Sequence, residues 1–589
     1  MSATEVREPG PAPARSARPG RSGRSGHPGR RPRLFDRFGH GRANGRRRIW
    51  LMAFAGFFLM GTAWALALPV EGNTDEIAHA ERAYAVATGQ WLGHPSHAVL
   101  NRPGAIFEVP RSLVPLNAEC MFHPSVVASC QRWTSDHGLA RANSWTGRYS
   151  PLYYLPVGLP MRVWPNETGV IAGRIVSAAL SAVLLATAIT LATFVGSRLL
   201  ILAVLAAATP SAVNLAGAVN PNGFEISAGI LFWTCTVVML RGPDTGLPPG
   251  RTRRVADWAT LAGFILLTTR ALGPVWCAAT LAAAALLADR AHLRQLRAIG
   301  GWPHRFAALA AGALGGLAWN LAAHNFEYYK IDSVAADRRH GLIGRTLAEN
   351  ITGLLNVRAE GWVRGVVGVA GQADYYAPLW LDLAWYGLIF AIVTLAMVTA
   401  PRRWRLVIGL IGAATFLLTA ALELRYLQML GWTQMSRYFM PFFAGMWILA
   451  GGAVPAGTVP LDAERRLLRT GSTVMAVCQL SWLALVMNRY QNGFYATVNP
   501  FSGKWTPTVG VVPPLAVMTV GIACTMWVAR WRRLAAGAVG SGSMGSGSLG
   551  SPSSPGSSGT SGSSASSARS SAYSGTLSNT PHCDTPPLT

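Results

Sequence analysis

Asp75, Glu76 and His79 stand in the run EGNTDEIAHAERAY, directly after the first long apolar stretch, Ile49 to Val70. Two carboxylates and an imidazole are residue types that move protons, or hold a divalent cation through oxygen and nitrogen. If residues 74 to 88 form a helix with Thr74 as its cap, Asp75 and His79 lie four apart on one face, and Glu76 lies about 100° round. A carboxylate and an imidazole so placed can take a proton from an acceptor hydroxyl or hold a divalent cation. The bland alternative is helix-start chemistry, since acids in a first turn complement the helix dipole. A run of about 20 apolar residues crosses a hydrocarbon core about 30 Å thick, so the trio emerges at a membrane surface, where water and lipid-borne substrates meet.

Three arginines could meet an anionic group there. Arg174 lies a few residues inside an apolar run, Arg270 lies within ILLTTRALGPVW, and Arg437 precedes Tyr438 in QMSRYFMPFF. A guanidinium inside a span is costly unless paired, and its planar fork suits phosphate. These residues form a candidate phosphate or pyrophosphate clamp, against the plainer reading of snorkelling or interfacial anchoring. AVNPNGFEIS adds Asn220, Asn222 and Glu225 at a hairpin, where Asn, Pro and Gly also serve turn geometry alone. No HExxH, CxxC pair or Gly-rich phosphate loop occurs. A divalent cation at Asp75 is therefore the one cofactor chemistry the residues suggest.

The elements that must position these groups are membrane helices. Half of the 589 residues are hydrophobic, 13% are charged, and apolar runs recur throughout, which a soluble domain does not do. Twelve candidate spans lie near residues 49–70, 169–195, 199–218, 223–240, 258–275, 276–288, 306–323, 379–400, 406–424, 438–454, 471–487 and 512–529. The fold class is all-α, a polytopic integral membrane protein. Ala65, Leu66 and Ala67 resemble a signal-peptide cleavage site, but the apolar run exceeds the roughly 7 to 15 residues of a signal core.

Net charge +25 would suggest nucleic acid in a soluble chain, yet thirteen arginines against three acids fall in residues 1–48. Positive-inside bias and attraction to anionic lipid account for that tail. The arginine-rich loops around Arg241–Arg254, Arg290–Arg305, Arg402–Arg405, Arg465–Arg469 and Arg530–Arg533 all fall on the tail's side. That side is expected to be cytoplasmic, with both termini on it. Loops 71–168 and 324–378 then face outward and are too long to be mere connections. Residues 1–48 read as a basic disordered tail, 49–533 as the membrane domain, and 534–589 as a Ser/Gly-rich disordered tail. Cys120 and Cys130 share the first outward loop in an oxidising compartment, and a disulfide between them is expected.

TDEIAHAERAY, RYSPLYYLP before the second span, GRIVSA at 173–178, AVNPNGFEI and SRYFMP occur in this order. Together, over roughly residues 49–500, they resemble the bacterial membrane proteins grouped as domain of unknown function 2142, which look like GT-C glycosyltransferases. Family members usually carry Pro before the Asp–Glu pair and Asp in an NPD turn, where this chain has Thr74 and Asn222. The resemblance implies a GT-C-like architecture with a large extracytoplasmic first loop. It also implies a glycosyltransferase that moves sugar from a polyprenyl-phosphate carrier to a cell-envelope glycan or lipid. Asp75 would be base or metal ligand, and Glu76 would support it. Two rival classes stay open: a transporter or flippase of envelope precursors, and a noncatalytic envelope-assembly protein.

Overall fold

The computed structural model describes residues 34–96, 104–123, 125–325 and 344–530. The basic segment before Leu34, part of the second long loop and the Ser/Gly-rich segment lie outside the described residues. Helix α1 is Leu34–Ala67, so the helix already runs through the arginines at 46–48 that the sequence assigned to a tail.

The first long loop carries α2 (Glu76–Ala87), a three-stranded antiparallel sheet and α3 (Pro151–Val163). Strands β1 (His94–Ser96), β2 (Gly104–Pro110) and β3 (Leu139–Ser144) pair with His94 opposite Ile106 and Ala105 opposite Ser144. Val86, Phe107, Tyr154, Val157 and Met161 form the core of this loop. Burying each such side chain stabilises by about 1.5–3 kcal/mol. Helix α3 crosses α2 at Gly158, where a Cβ would collide with the Ala83 carbonyl.

The helices continue from α4 (Glu167–Ala192) through α5 (Arg198–Ala207), α6 (Pro210–Ala216) and α7 (Pro221–Leu240) to α8 (Pro249–Thr269), α9 (Gly273–Leu287) and α10 (Trp302–Ala322). In the second long loop, α11 (Ala359–Val367) precedes a hairpin of β4 (Val369–Ala370) and β5 (Tyr375–Tyr376). Helices α12 (Leu379–Thr399), α13 (Arg402–Leu430), α14 (Ser436–Ala453), α15 (Leu461–Asn492) and α16 (Val512–Arg530) complete the described chain. Starts are marked locally: Asn166, Thr209 and Asn220 accept backbone N–H bonds at the heads of α4, α6 and α7, and Pro210 and Pro221 occupy first-turn positions.

Each of the twelve expected segments contains helix, but 199–218 is broken between Ala207 and Pro210 and 258–275 between Thr269 and Gly273. Among the described residues, seven helices are long and apolar enough to cross a membrane, or eight if α5 and α6 count as one span bent by 61°. The expected boundary at 275–276 is displaced. Arg270 adopts extended backbone at the end of α8, and Pro274 opens α9, so the arginine stands at a corner between helices and not inside a span. Helices in lipid associate through close packing more than through water exclusion. Here Gly217 lies so close to the Gly61 carbonyl that no side chain fits, and Gly56 on α1 faces Gly521 on α16.

Candidate active site

Asp75 is the last residue before α2. Its backbone is left-handed, with φ 63°, and its side chain does not cap the helix. Few residue types visit that region, and Asp does so more readily than most. Both neighbours of the turn hold it there. Thr74, expected to be the cap, instead donates from Oγ1 to the Gly371 carbonyl at 2.7 Å, and Asn220 Nδ2 donates to the Thr74 carbonyl at 3.2 Å. The two long loops thus meet at the residue before Asp75.

The Asp75 carboxylate faces α14. Its Oδ2 accepts from Arg437 NH2 at 2.6 Å, and its Oδ1 accepts from Trp145 Nε1 at 3.1 Å. The Asp75 side chain keeps 20% exposure against 7% for Arg437. Burial pushes the carboxyl upward, but the Arg437 charge, His79 and the hydrogen bonds from Arg437 and Trp145 together outweigh it and hold the group below the usual carboxylate range. Asp75 is ionised at neutral pH.

Glu76 and Arg174 pair with each other, and neither is exposed. Arg174 Nε reaches Glu76 Oε1 at 2.7 Å; NH1 donates to the Ala65 and Leu68 carbonyls at 3.0 and 2.7 Å, and NH2 to Pro69 at 2.7 Å. With NH2 also on Glu76 Oε2, all five N–H groups of the guanidinium are consumed. Glu76 takes two further backbone donors, Glu71 N and Val219 N. Arg174 therefore has no donor left for a phosphate, and Glu76 has no access to a substrate. Together they clamp the end of α1 to α2, α4 and the head of α7.

His79 does not meet Asp75 as the four-residue spacing suggested, because Asp75 lies outside the helix and points at α14. The His79 Nδ1 atom pairs with Tyr154 Oη at 2.7 Å, and its ring lies 5.9 Å from those of Tyr149 and Tyr154. Burial, aided by the charges of Arg437 and Arg270, pulls the imidazole down to about 3 against the opposing pull of Asp75. It is neutral and serves the aromatic wall.

Arg270 and Arg437 both reach the cluster. Arg270 lies over the Tyr149 ring at 5.3 Å and the Tyr438 ring at 4.6 Å, a cation between two aromatic faces. Its NH1 bonds Asn222 Oδ1, and its Nε stands 3.9 Å from Glu225 Oε2. Among the described residues, Arg437 engages NH2, to Asp75 and to Tyr438 Oη at 3.2 Å, and its buried Nε meets no acceptor. Asn220 is spent on structure: its Oδ1 caps α7, and its Nδ2 holds Thr74.

Some of these residues were not singled out by type and spacing. Trp145 and Glu423 carry no local signal. Glu423 fixes the turn before Arg437 by accepting from Thr433 N and Gln434 N at 2.9 and 2.6 Å. Tyr149 and Tyr154 sit in RYSPLYYLP, whose aromatic density was the available clue. Cys120 and Cys130 are joined in a disulfide. Arg489 spans that ring by donating to the Met121 and Val126 carbonyls at 3.0 and 2.9 Å.

The residues present do not fit a dedicated cation site. Among the described residues, no three His, Cys, Asp or Glu side chains gather as metal ligands, and both Asp75 oxygens already accept from Arg437 and Trp145.

The family model described as "Predicted membrane protein (DUF2142)" matches residues 58–446. No curated protein matches the chain. Among solved structures, the chain is similar to ArnT from Cupriavidus metallidurans in the apo state at 16% identity and TM-score 0.39, over 85% of this chain and 78% of that one. It is similar to the same protein bound to undecaprenyl phosphate at 16% identity and TM-score 0.38, over 84% and 77%.

Proposed function

We propose that this chain, which belongs to the DUF2142 family of predicted membrane proteins, is a glycosyltransferase. It moves a sugar from a polyprenyl-phosphate carrier to a cell-envelope acceptor at the membrane face where its long loops meet. The observation that carries this reading is the Asp75–Arg437 pair. An ionised carboxylate that is still partly exposed lies 2.6 Å from a guanidinium with spare donors.

Each group then has a task. Arg437, with Arg270 beside it, binds the carrier phosphate through charge-assisted bonds. Asp75 takes the acceptor hydroxyl proton as that oxygen bonds the anomeric carbon. The bond from that carbon to the phosphate oxygen breaks, and the polyprenyl phosphate leaves with the electron pair, its growing charge met by the arginines. Glu76 and Arg174 hold the frame. His79 and Tyr154 shape the wall. No step runs through a metal. The arginine-rich loops support placing this face outside and both termini in the cytoplasm.

The transport reading has one observation in its favour, the break between α5 and α6, since transporters bind at broken helices. The carbonyls freed there are taken inside the protein: Gln479 Nε2 donates to Ala208 and Trp385 Nε1 to Ala206. That makes the break a sealed corner. The deciding experiment is sugar turnover from a polyprenyl-phosphate sugar by the reconstituted protein. Transfer by wild type that Asp75→Asn abolishes supports the enzyme, whereas carrier translocation without transfer supports the transporter.

A further inference from the structure

Two buried polar atoms of this cluster lack a partner among the described residues: Arg437 Nε and Glu225 Oε1. The first belongs to the phosphate contacts just described. The second is unused by them. Glu225 is 1% exposed, and its nearest opposite charge, Arg270 Nε, is 3.9 Å away, beyond hydrogen-bond range. Glu225 shares this state with Asp382, whose Oδ1 is also buried without a partner, but two other buried acids are treated differently. Glu76 receives four donor contacts, and Glu423 receives two backbone N–H groups with Arg358 at 3.5 Å. A carboxylate has about four lone-pair sites, and leaving them unmet in a buried place is costly. The fold does not use this acid for its own bonding.

The missing partner must donate a hydrogen bond. A second cation is disfavoured by Arg270, which already faces Glu225, and by Arg437, which shares Tyr438 with Arg270. An anion is disfavoured by the carboxylate itself. A neutral hydroxyl meets both conditions, and carboxylate, arginine, amide and aromatic rings together suit a polyhydroxylated ring: Glu225, Arg270, Asn222, Tyr149 and Tyr438 supply all four.

We propose that Glu225 is a sugar-recognition residue of the same site, its Oε1 accepting a hydroxyl proton of the carrier-borne sugar while Arg437 holds the phosphate. This rests on the reading that the ligand is a polyprenyl-phosphate sugar. Glu225 sits on α7 three residues beyond Asn222, so one helix face presents both groups to Arg270. The acid sets which sugar is held, and Asp75 remains the base.

The test uses the full-length protein in lipid nanodiscs and four ligands: polyprenyl phosphate alone, and the same carrier bearing glucose, mannose or arabinose. Wild type is expected to bind at least one sugar-bearing carrier more tightly than the bare one. Glu225→Gln keeps the shape and should remove about 10-fold of the sugar-dependent gain, read within each protein as the ratio of sugar-bearing to bare-carrier affinity so that any change at the neighbouring Arg270 cancels. A deoxy analogue lacking the contacted hydroxyl should lose the same factor in wild type and no more in Glu225→Gln, a coupling that a merely structural role would not produce. Three outcomes overturn the proposal: a sugar gain that Glu225→Gln leaves intact, no gain with any of the three sugars, or full additivity of variant and analogue. Each would mean that only water meets Oε1. Failure of the underlying reading looks different: the bare carrier does not bind, or Arg437→Ala binds it as well as wild type.

Discussion

Arg437 reaches across 362 positions of sequence to place NH2 2.6 Å from Asp75 Oδ2, joining the head of α14 to the turn that opens α2. Arg174 and Glu76 form a second arginine–acid pair, equally close but with no exposure. The two differ in what the protein leaves over. Every donor of Arg174 is spent, whereas Arg437 keeps donors in hand. That difference separates a clamp from a binding group and leads to contrasting expectations for the four residues.

Asp75→Asn removes the charge and keeps the shape. If a positioned base is at work, turnover of a polyprenyl-phosphate sugar falls roughly 10²-fold or more. Membrane abundance should stay near wild type, because Asp75 is tied to a partly exposed site and not to the packed core. Equal turnover by equal amounts of reconstituted wild type and variant would end the catalytic assignment.

Glu76→Gln and Arg174→Leu each strand a buried charge or its carbonyl partners, at a cost of about 3–5 kcal/mol. Both should lower abundance and thermal stability, with turnover per folded molecule little changed. A well-folded Glu76→Gln protein with lost turnover would return Glu76 to the reacting groups.

Much of this site was legible from residue types. Asp75, Arg270, Arg437 and Tyr438 do gather, and each of the twelve apolar runs contains helix, two of them broken. The pairing of Glu76 with Arg174 was not legible, since nothing local says that residues 98 positions apart consume each other. Asp75 and His79 feel each other's charge but are not hydrogen-bonded: Asp75, left-handed before the helix, is taken by Arg437 and Trp145, and His79 by Tyr154. Arg270 was placed inside a span because hydropathy windows run across a corner made by one extended residue and a following proline. Trp145 acts through a contact 70 positions away, and Glu423 through backbone groups 10 and 11 positions on, neither of which composition encodes.

The loop on this face should make stability depend on pH through buried groups pulling in opposite directions, His79 on one side and Glu81 on the other, with Glu71, also raised by burial, acting in the same sense as Glu81. Burial lowers His79 from 6.5 to about 3 and raises Glu81 from 4.5 to about 8. Between about 3 and 6.5 the unfolded chain binds a proton at His79 that the folded one refuses, so stability falls as pH drops through that window. Between 4.5 and about 8 the folded chain keeps a proton on Glu81 that the unfolded one releases, so stability falls as pH rises. Thermal unfolding should therefore show its best stability at mildly acidic pH. Glu81→Gln should flatten the decline toward pH 8 and leave the acid side alone; an unchanged alkaline slope would refute the assignment.

The disulfide is expected to matter for the turn that carries Asp75. Gln131, directly after Cys130, donates from Nε2 to the Val70 carbonyl at 2.6 Å, and Arg489 grips the ring from α15. Closing a ring of this size stabilises by roughly 2–3 kcal/mol in the chain-entropy model. Replacing both cysteines by serine should lower the melting temperature and loosen the Val70–Asp75 segment, whereas Arg489→Ala should loosen it with the disulfide still formed. Mass spectrometry of nonreduced peptides fixes the redox state of each protein, and hydrogen exchange over residues 69–79 reads the loosening. Unchanged exchange in both variants would show that the ring is independent of the turn, and that the contacts of Thr74, Asn220, Arg437 and Trp145 keep Asp75 in place without it.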